Sequence, residues 1–456
     1  MKKLAAVLTS FLLIFAISLS PLQAAAAYPA EIETTSEGLL LVDLGTDTVV
    51  YEKNADDRLE PASITKIILA ILLIEKLGDK IPTEEITVPD EAIDLLAGTN
   101  SSLGGVKKGE VLTAEQLLHF LLIPSGNDAA MVIAYYLGDG SIEKGVELMN
   151  QRAQELGCTN THFANPHGLH DPEHYSSARD IYIMAKHAMT LDYFMDICKK
   201  TRYVVPPTNK SEKSRTLVTT NSMMEPSSKD YYYQYVQGIK TGSTTQGGFC
   251  LVSTAYNART NERYLCVALD APYYDEEGKV AKNGAMQDTK ALYEWAFNNL
   301  ELKSLVSAST PIKSIQLDQS WNKDTINLYP KEDFSAVVPK EATPESVLVQ
   351  PSSDLPESIT APVEKGTVVG TAKVMYADME LGTIELVVGE TVDESFLLRA
   401  LNSIQNVMKS TWFKIIFIIL LVLIFLYICF TMIYNKKAKK KKRSKALQKK
   451  ASNRRF

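Results

Sequence analysis

Apolar and polar positions change their period along this chain, and the changes mark out its elements. Gly38–Asp43 and Val49–Lys53 are apolar-rich runs separated by Leu44-Gly45-Thr46-Asp47-Thr48, which predicts a β-hairpin. From Ile64 to Leu77 the pattern is helical, opening just after Pro61 and stopping at Gly78. Helical patterns dominate Ala114–Leu137, Ser141–Leu156 and Ser177–Cys198. Strand patterns then return at Tyr235–Lys240, Gly248–Tyr256 and Arg263–Asp270, followed by an amphipathic helix over Asp288–Leu300. Strands drawn from both ends of a segment, with helices inserted between them, predict an α+β layer domain over residues 28–302.

From Pro311 to Val392 the helical signals disappear. Short strands such as Lys313–Leu317, Thr367–Val374 and Thr383–Val388 alternate with Pro, Gly and Asp turns, so residues 303–394 are expected to form a small β-sandwich. Pro339–Pro362 contains five prolines and is expected to be a long connection rather than a core element. Residues 395–411 read as an amphipathic juxtamembrane helix, and residues 412–434 as a transmembrane helix. Its centre, Ile415–Tyr434, is 20 residues without a charge, which at 1.5 Å per residue spans about 30 Å of hydrocarbon. Trp412 and Tyr434 suit the two interfaces, and the cluster Lys436–Lys445 should hold the basic tail 435–456 in the cytoplasm, leaving the body outside. At the other end Lys2 and Lys3, an apolar run from Leu4 to Leu19 and the small residues Ala24–Ala27 have the layout of a secretory signal peptide over residues 1–27.

Composition adds a compartment and removes a class of partner. With 456 residues, 45% of them apolar and 22% charged, the chain is long enough for two or three domains and is not disordered. Its formal charge of −6 hides a division, because residues 435–456 carry 12 Lys or Arg and no acid. Setting these aside with Lys2 and Lys3 leaves 34 basic against 54 acidic residues, so the body stands at −20. Such a body offers no surface for nucleic acid. Cys158, Cys198, Cys250 and Cys266 match no metal or redox spacing; two disulfides are conceivable, but buried apolar thiols are the preferred reading.

Three strings carry chemistry. In Pro61-Ala62-Ser63-Ile64-Thr65-Lys66 the serine and lysine are about one helical turn apart and project from the same face. A neutral amine there can take the hydroxyl proton, and the helix start favours negative charge on an attacked carbonyl oxygen. Pro124-Ser125-Gly126-Asn127 falls between two helical runs, and Gly238-Ile239-Lys240-Thr241-Gly242-Ser243 lies at the end of a strand pattern. Each string alone is commonplace: a cap with a solvated lysine, a turn, a strand end. Their conjunction is not. Ser-x-x-Lys, then Ser-x-Asn 62 residues later, then Lys-Thr-Gly another 115 residues on, forms an ordered set.

That set resembles the penicillin-recognising serine acyl-transferases, and among them the D-alanyl-D-alanine carboxypeptidases. Tyr175-Ser176-Ser177-Ala178-Arg179-Asp180, His167-Gly168-Leu169 and Ala361-Pro362-Val363 with Gly366–Gly370 add to the likeness, which covers about residues 35–395. The resemblance implies a penicillin-binding, β-lactamase-like catalytic domain on a membrane-proximal β domain. It implies Ser63 as nucleophile, Lys66 as general base, Ser125 as proton relay, and Asn127, Lys240, Thr241, Gly242 and Ser243 as substrate-binding residues. The backbone N–H groups of Ser63 and Ser243 would make the oxyanion hole, with no metal or cofactor. The substrate would be a peptidoglycan pentapeptide ending in D-Ala-D-Ala, with β-lactams as covalent inhibitors. A lysine at its ordinary pKa is disfavoured as a base at pH 7 by ~4.6 kcal/mol. A second ammonium at ~4 Å and an effective dielectric of ~20 contributes ~4 kcal/mol, so Lys240 and the helix dipole are expected to supply most of the shift.

Two departures from the family pattern stand out. An arginine commonly precedes the last helix of the catalytic domain and helps to hold the substrate carboxylate, but Asn283-Gly284-Ala285-Met286-Gln287-Asp288 has none, which leaves Lys279 or Lys282 as substitutes. The chain is also expected to cross the membrane rather than lie on it. Alternatives are a β-lactamase, disfavoured because no Glu-x-x-Leu-Asn string lies between Asn127 and Lys240, and a catalytically silent penicillin-fold scaffold. His162, His167, His170 and His174 are read as loop residues rather than zinc ligands, and Tyr231-Tyr232-Tyr233 as packing.

Overall fold

Helix α1 (Lys66–Leu77) is apolar nearly all round, and Lys66–Ile71, Leu73 and Ile74 are buried. A helix of this composition must be enclosed by other elements. The computed structural model describes Tyr28 and residues 32–452, leaving out 100, 321 and 378; the expected signal peptide, residues 1–27, lies outside the described residues. After the short α2 (Asp90–Asp94) come α3 (Ala114–Leu122), α4 (Asn127–Leu137), α5 (Ile142–Glu155), α6 (Ala178–Ala188) and α7 (Phe194–Cys198). Helices α3, α4, α5 and α6 all pack on α1. Three of these starts are built from side-chain caps: Thr113 and Gln116 form a capping box on α3, and Ser141 and Ser177 cap α5 and α6.

The expected hairpin is present as β1 (Gly38–Asp43) and β2 (Thr48–Lys53). Two small sheets were not foreseen: β3 (Glu85–Thr87) pairs with β4 (Val111–Thr113), and β5 (Arg202–Val205) with β6 (Arg215–Val218). The main sheet adds β7 (Val236–Ser243), β8 (Phe249–Asn257) and β9 (Glu262–Ala271) in the order β2-β1-β9-β8-β7, all neighbours antiparallel. β1 is buried at all six positions, which is why Gly-Leu-Leu-Leu-Val-Asp shows no alternation: both of its faces are covered. Helix α8 (Gly284–Asn299) packs on β8 and β9.

Several boundaries shifted for identifiable reasons. Ser63 lies not in the α-helix but in a 3-10 turn, Ala62–Thr65, that leads into it. The predicted 114–137 helix breaks at Ile123–Gly126, where Pro124 lacks the N–H that a continuing helix needs. β7 runs through Lys240-Thr241-Gly242-Ser243 instead of ending at Lys240; these residues have little intrinsic strand preference and are held by pairing, Thr241 opposite Leu251 and Gly242 opposite Cys250. Asn283 caps α8, accepting the Met286 N–H at 3.0 Å, so that helix starts four residues early.

The remaining strands are β10 (Leu300–Val306), β11 (Lys313–Asp318), β12 (Thr325–Pro330), β13 (Phe334–Pro339), β14 (Val347–Pro351), β15 (Ser358–Thr360), β16 (Val368–Tyr376) and β17 (Met379–Val388). β14 and β15 correct the reading of Pro339–Pro362 as a bare connection. They are the edge strands of a six-stranded sheet, β14-β16-β17-β12-β11-β15, and proline is tolerated at an edge because one side of the backbone has no ladder to serve. By contact density one unit runs through Val306 and takes in Asp333–Gln350 and Lys373–Thr383; the other holds Ser307–Glu332, Pro351–Ala372 and the chain from Ile384 onward. The second contains α9 (Phe396–Lys409) and α10 (Thr411–Ser452). α10 is, among the described residues, the one helix long and apolar enough to cross a membrane, over Thr411–Ala446.

Cys158, Cys198, Cys250 and Cys266 are buried free thiols. Tyr233 packs against Tyr235, Tyr293 and Phe297. A long-range tie closes the first unit: the buried Asp288 Oδ2 accepts the Ser36 N–H at 2.7 Å, the Ser36 hydroxyl at 2.7 Å and the Thr35 N–H at 3.0 Å. Asp288→Ala should therefore leave two buried Ser36 donors unpaired and cost about 3 kcal/mol of stability, read as a lowered midpoint of urea unfolding.

Candidate active site

The three strings, far apart in the chain, meet within the first unit. Lys66 opens α1 and is 0% exposed. Its Nζ lies 2.7 Å from Ser63 Oγ, donates to Asn127 Oδ1 at 2.7 Å and donates to the His167 carbonyl at 2.8 Å. Ser63 is half-buried, in the turn that precedes Lys66. Asn127 is the first residue of α4, placed by its own N–H to Ser102 O at 2.9 Å. Lys240, 1% exposed, stands on β7 and donates to the carbonyl of Thr241 at 2.7 Å.

Two glycines permit this approach. A β-carbon on Gly242 would sit 3.0 Å from the Ser63 backbone N and 3.0 Å from Ala62 Cβ, so only glycine lets β7 lie against the Ala62–Thr65 turn. Gly168 has φ +85°, and a β-carbon there would sit 1.9 Å from the Ala62 carbonyl oxygen; it brings the 165–170 loop, with the His167 carbonyl, onto the same turn. Ala62 itself has φ +46°, a left-handed conformation that is unfavourable for alanine and is held by these contacts.

Burial, first, and then the positive charge of Lys240 push the Lys66 amine well below its ordinary value, while the Asp128 carboxylate pulls the other way. This corrects the expectation that the second ammonium and the helix dipole would supply most of the shift. Burial likewise takes Lys240 down to about 7. Burial also lowers His167 to about 3 and His174 to about 4. His167 Nδ1 accepts the Leu169 N–H at 3.2 Å, and His174 Nδ1 accepts the Ala164 N–H at 3.1 Å while its Nε2 is 2.7 Å from Thr65 Oγ1. These two rings brace the loop over Ser63.

The remaining candidates are less closely joined. Ser125 is 5% exposed, with φ +64°, beside Asn127, but its hydroxyl is bonded to none of Ser63, Lys66 or Lys240 among the described residues. Thr241 Oγ1 is hydrogen-bonded to Thr220 Oγ1. Ser243 ends β7 and is exposed. Lys279 and Lys282 pair with Glu277 and Asp230 and are bonded to none of the site residues. Sequence reasoning missed Asp128, 2% exposed, whose carboxylate accepts the N–H groups of Gly104, Gly105, Val106 and Ala129 at 2.8–2.9 Å. It ties the 102–106 segment to the Ser-Gly-Asn turn; the glycine pair at 104–105 was the only hint.

With this geometry in hand, the sequence profile of the D-alanyl-D-alanine carboxypeptidase peptidases matches residues 23–273, and that of the penicillin-binding protein 5 C-terminal domain matches residues 300–394. The chain belongs to the D-alanyl-D-alanine carboxypeptidase family. It is 31% identical over 354 residues to D-alanyl-D-alanine carboxypeptidase DacF of Bacillus subtilis, covering 75% of this chain and 82% of that one. Against DacC of Escherichia coli it is 30% identical over 371 residues, covering 78% and 84%. Among solved structures, penicillin binding protein 5 from Haemophilus influenzae covers 80% of this chain over its whole length, with TM-score 0.62 and 25% identity. The Streptomyces K15 DD-transpeptidase covers 59%, with TM-score 0.53 and 26% identity.

Two outcomes follow from the packing. Gly242→Ala should keep the fold, read by circular dichroism, but lower labelling of the protein by fluorescent penicillin roughly 10-fold or more, because the new methyl group meets backbone. Lys240→Met should stabilise the protein at the expense of the site. The folded lysine has a pKa of about 7 against an ordinary 10.5, so the unfolded chain binds more protons between those values and the cost of burying the ammonium is largest below about pH 7. The rise in Tm on substitution should accordingly be larger at pH 6 than at pH 9, measured by calorimetry.

Proposed function

We propose that the protein is a serine-type D-alanyl-D-alanine carboxypeptidase that removes the terminal D-Ala from peptidoglycan pentapeptides and is acylated by β-lactams. Ser63 Oγ attacks the carbonyl of the penultimate D-Ala; the bond to the terminal D-Ala breaks, and water then releases the acyl group from Ser63. The observation that carries this reading is the three-way environment of Lys66. A neutral amine has two N–H groups and one lone pair. Asn127 Oδ1 and the His167 carbonyl take the two N–H groups, and the lone pair is left facing the Ser63 hydroxyl at 2.7 Å. The base is therefore aimed as well as neutralised.

Asn127 also receives the substrate amide, and Ser125 passes a proton to the leaving amine as the substrate brings it into line. Lys240, Thr241 and Ser243 face the terminal carboxylate, and Gly242 lets the substrate and Ser63 share one strand edge. The backbone N–H groups of Ser63 and Ser243 hold the oxyanion. The names borne by the relatives support the carboxypeptidase reading over a β-lactamase or a silent scaffold.

The domain reading that goes with this is a signal peptide at 1–27, the catalytic domain at 28–302, the β domain at 303–394, the juxtamembrane helix at 395–411, the membrane span at 412–434 and the basic tail at 435–456. The apolar span in α10 supports a single-pass anchor. The Lys436–Lys445 cluster supports a cytoplasmic tail, with the catalytic domain outside, toward the wall.

Full-length protein in detergent should release D-alanine from diacetyl-Lys-D-Ala-D-Ala and gain a penicillin adduct on Ser63 by mass spectrometry. Ser63→Ala should lose both by roughly 10³-fold or more; an adduct that persists in that variant refutes the assignment. The acylation rate should fall as pH drops through the lowered pKa of Lys66, since protonation removes the base. Asp128→Asn should move this acid limb to lower pH, because the carboxylate favours the ammonium.

A further inference from the structure

The arginine expected to help hold the substrate carboxylate is absent, and the two lysines named as substitutes pair with Glu277 and Asp230. The structure offers another group at this end of the site. Thr220 belongs to the turn that follows β6, and its hydroxyl is hydrogen-bonded to that of Thr241. It was singled out by nothing in the sequence.

The turn carrying Thr220 is fastened from three sides. Thr219 N–H donates to Thr201 O at 2.8 Å, Thr220 N–H to Ile123 O at 3.3 Å, and the buried Asn221 sends its Nδ2 to Gly238 O of β7 at 3.1 Å. Thr220 thereby bridges the segment leading to Pro124-Ser125-Gly126-Asn127 and the strand carrying Lys240-Thr241-Gly242. Its side chain is exposed, so its hydroxyl is no part of the core packing. Two hydroxyls in contact share one proton between them and leave one proton free. If Thr220 donates to Thr241 Oγ1, the Thr241 proton is the free one, and the chain of two bonds strengthens the donor that meets the ligand.

We propose that Thr220 is a positioning residue for carboxylate recognition: it donates to Thr241 and turns the Thr241 proton toward the terminal carboxylate of the substrate. This rests on the carboxypeptidase reading of the site. The Thr220–Thr241 pair supplies in neutral form part of what a cation would supply elsewhere, and it sets the preference for a free C-terminus over a blocked one.

The test compares kcat/KM of the full-length protein on diacetyl-Lys-D-Ala-D-Ala and on the same peptide as its C-terminal amide, with both products followed by mass spectrometry. Wild type should prefer the acid. Thr220→Ala should lower the acid-to-amide ratio about 5-fold, through a higher KM for the acid with kcat changed less than about twofold. Thr220→Ser should restore the ratio, and adding Thr220→Ala to Thr241→Ala should change nothing further. The proposal is overturned by an unchanged ratio in Thr220→Ala, by failure of the serine to restore it, by an undiminished Thr220→Ala effect in the Thr241→Ala background, or by equal use of both peptides by wild type. Wild type that releases no D-alanine from the acid peptide overturns instead the reading on which the proposal rests.

Discussion

Two lysine amines share a region with almost no access to water, and the rest of the catalytic unit is arranged around that constraint. Lys66 and Lys240 are 0% and 1% exposed, and an ammonium moved out of water is costly enough that burial lowers the pKa of both amines. Burial thus favours the neutral, proton-accepting form of an amine. The condition is that something must enclose the amine, and the apolar α1 with its ring of helices does so. The amine beside Ser63 is therefore set by core packing, and Ser63 itself stays half-buried at the boundary of that core.

Backbone proximity is the second requirement. Gly168 and Gly242 bring two separate segments against the Ala62–Thr65 turn at distances that leave no room for a side chain. Carbonyl and N–H groups, which have fixed positions, then do the orienting: the His167 carbonyl holds the Lys66 amine, and the amides at 104–106 hold Asp128. Groups placed by the chain itself need little reorganisation when charge develops. The left-handed conformations of Ala62 and Ser125 mark where this arrangement strains the backbone.

The β-rich segments after Leu300 and α10 stand apart from the three strings in the sequence, and α10 is long and apolar enough to cross a membrane over Thr411–Ala446. Among the described residues, none of them is hydrogen-bonded to Ser63, Lys66 or Lys240. Their sequence alternates short strands with turns and ends in a helix whose stretch Ile415–Tyr434 carries no charge, a length that matches the hydrocarbon of a bilayer.

Apolar runs bounded by turn residues were enough for the elements whose pattern is set locally: the 38–53 hairpin, α1, the existence of β7, β8 and β9, and the uncharged stretch in α10. The three strings were also legible, because residue types in a strict order carry information without coordinates. What sequence could not supply depended on contacts between distant segments. β7 continues through Lys240–Ser243 only because β8 pairs with it, and Pro339–Pro362 contains strands only because a sheet accepts them at its edges. Thr220 lacked any signature, Asp128 had only the neighbouring glycine pair and the His167 carbonyl only its place in His167-Gly168-Leu169, since a carboxylate, a hydroxyl or a carbonyl becomes functional by what lies opposite it. The residue types and their order determined which chemistry the chain can perform. Only the tertiary structure decided how far burial, rather than a neighbouring charge, shifts the amines, because exclusion of water is a property of the enclosing fold and not of any single segment.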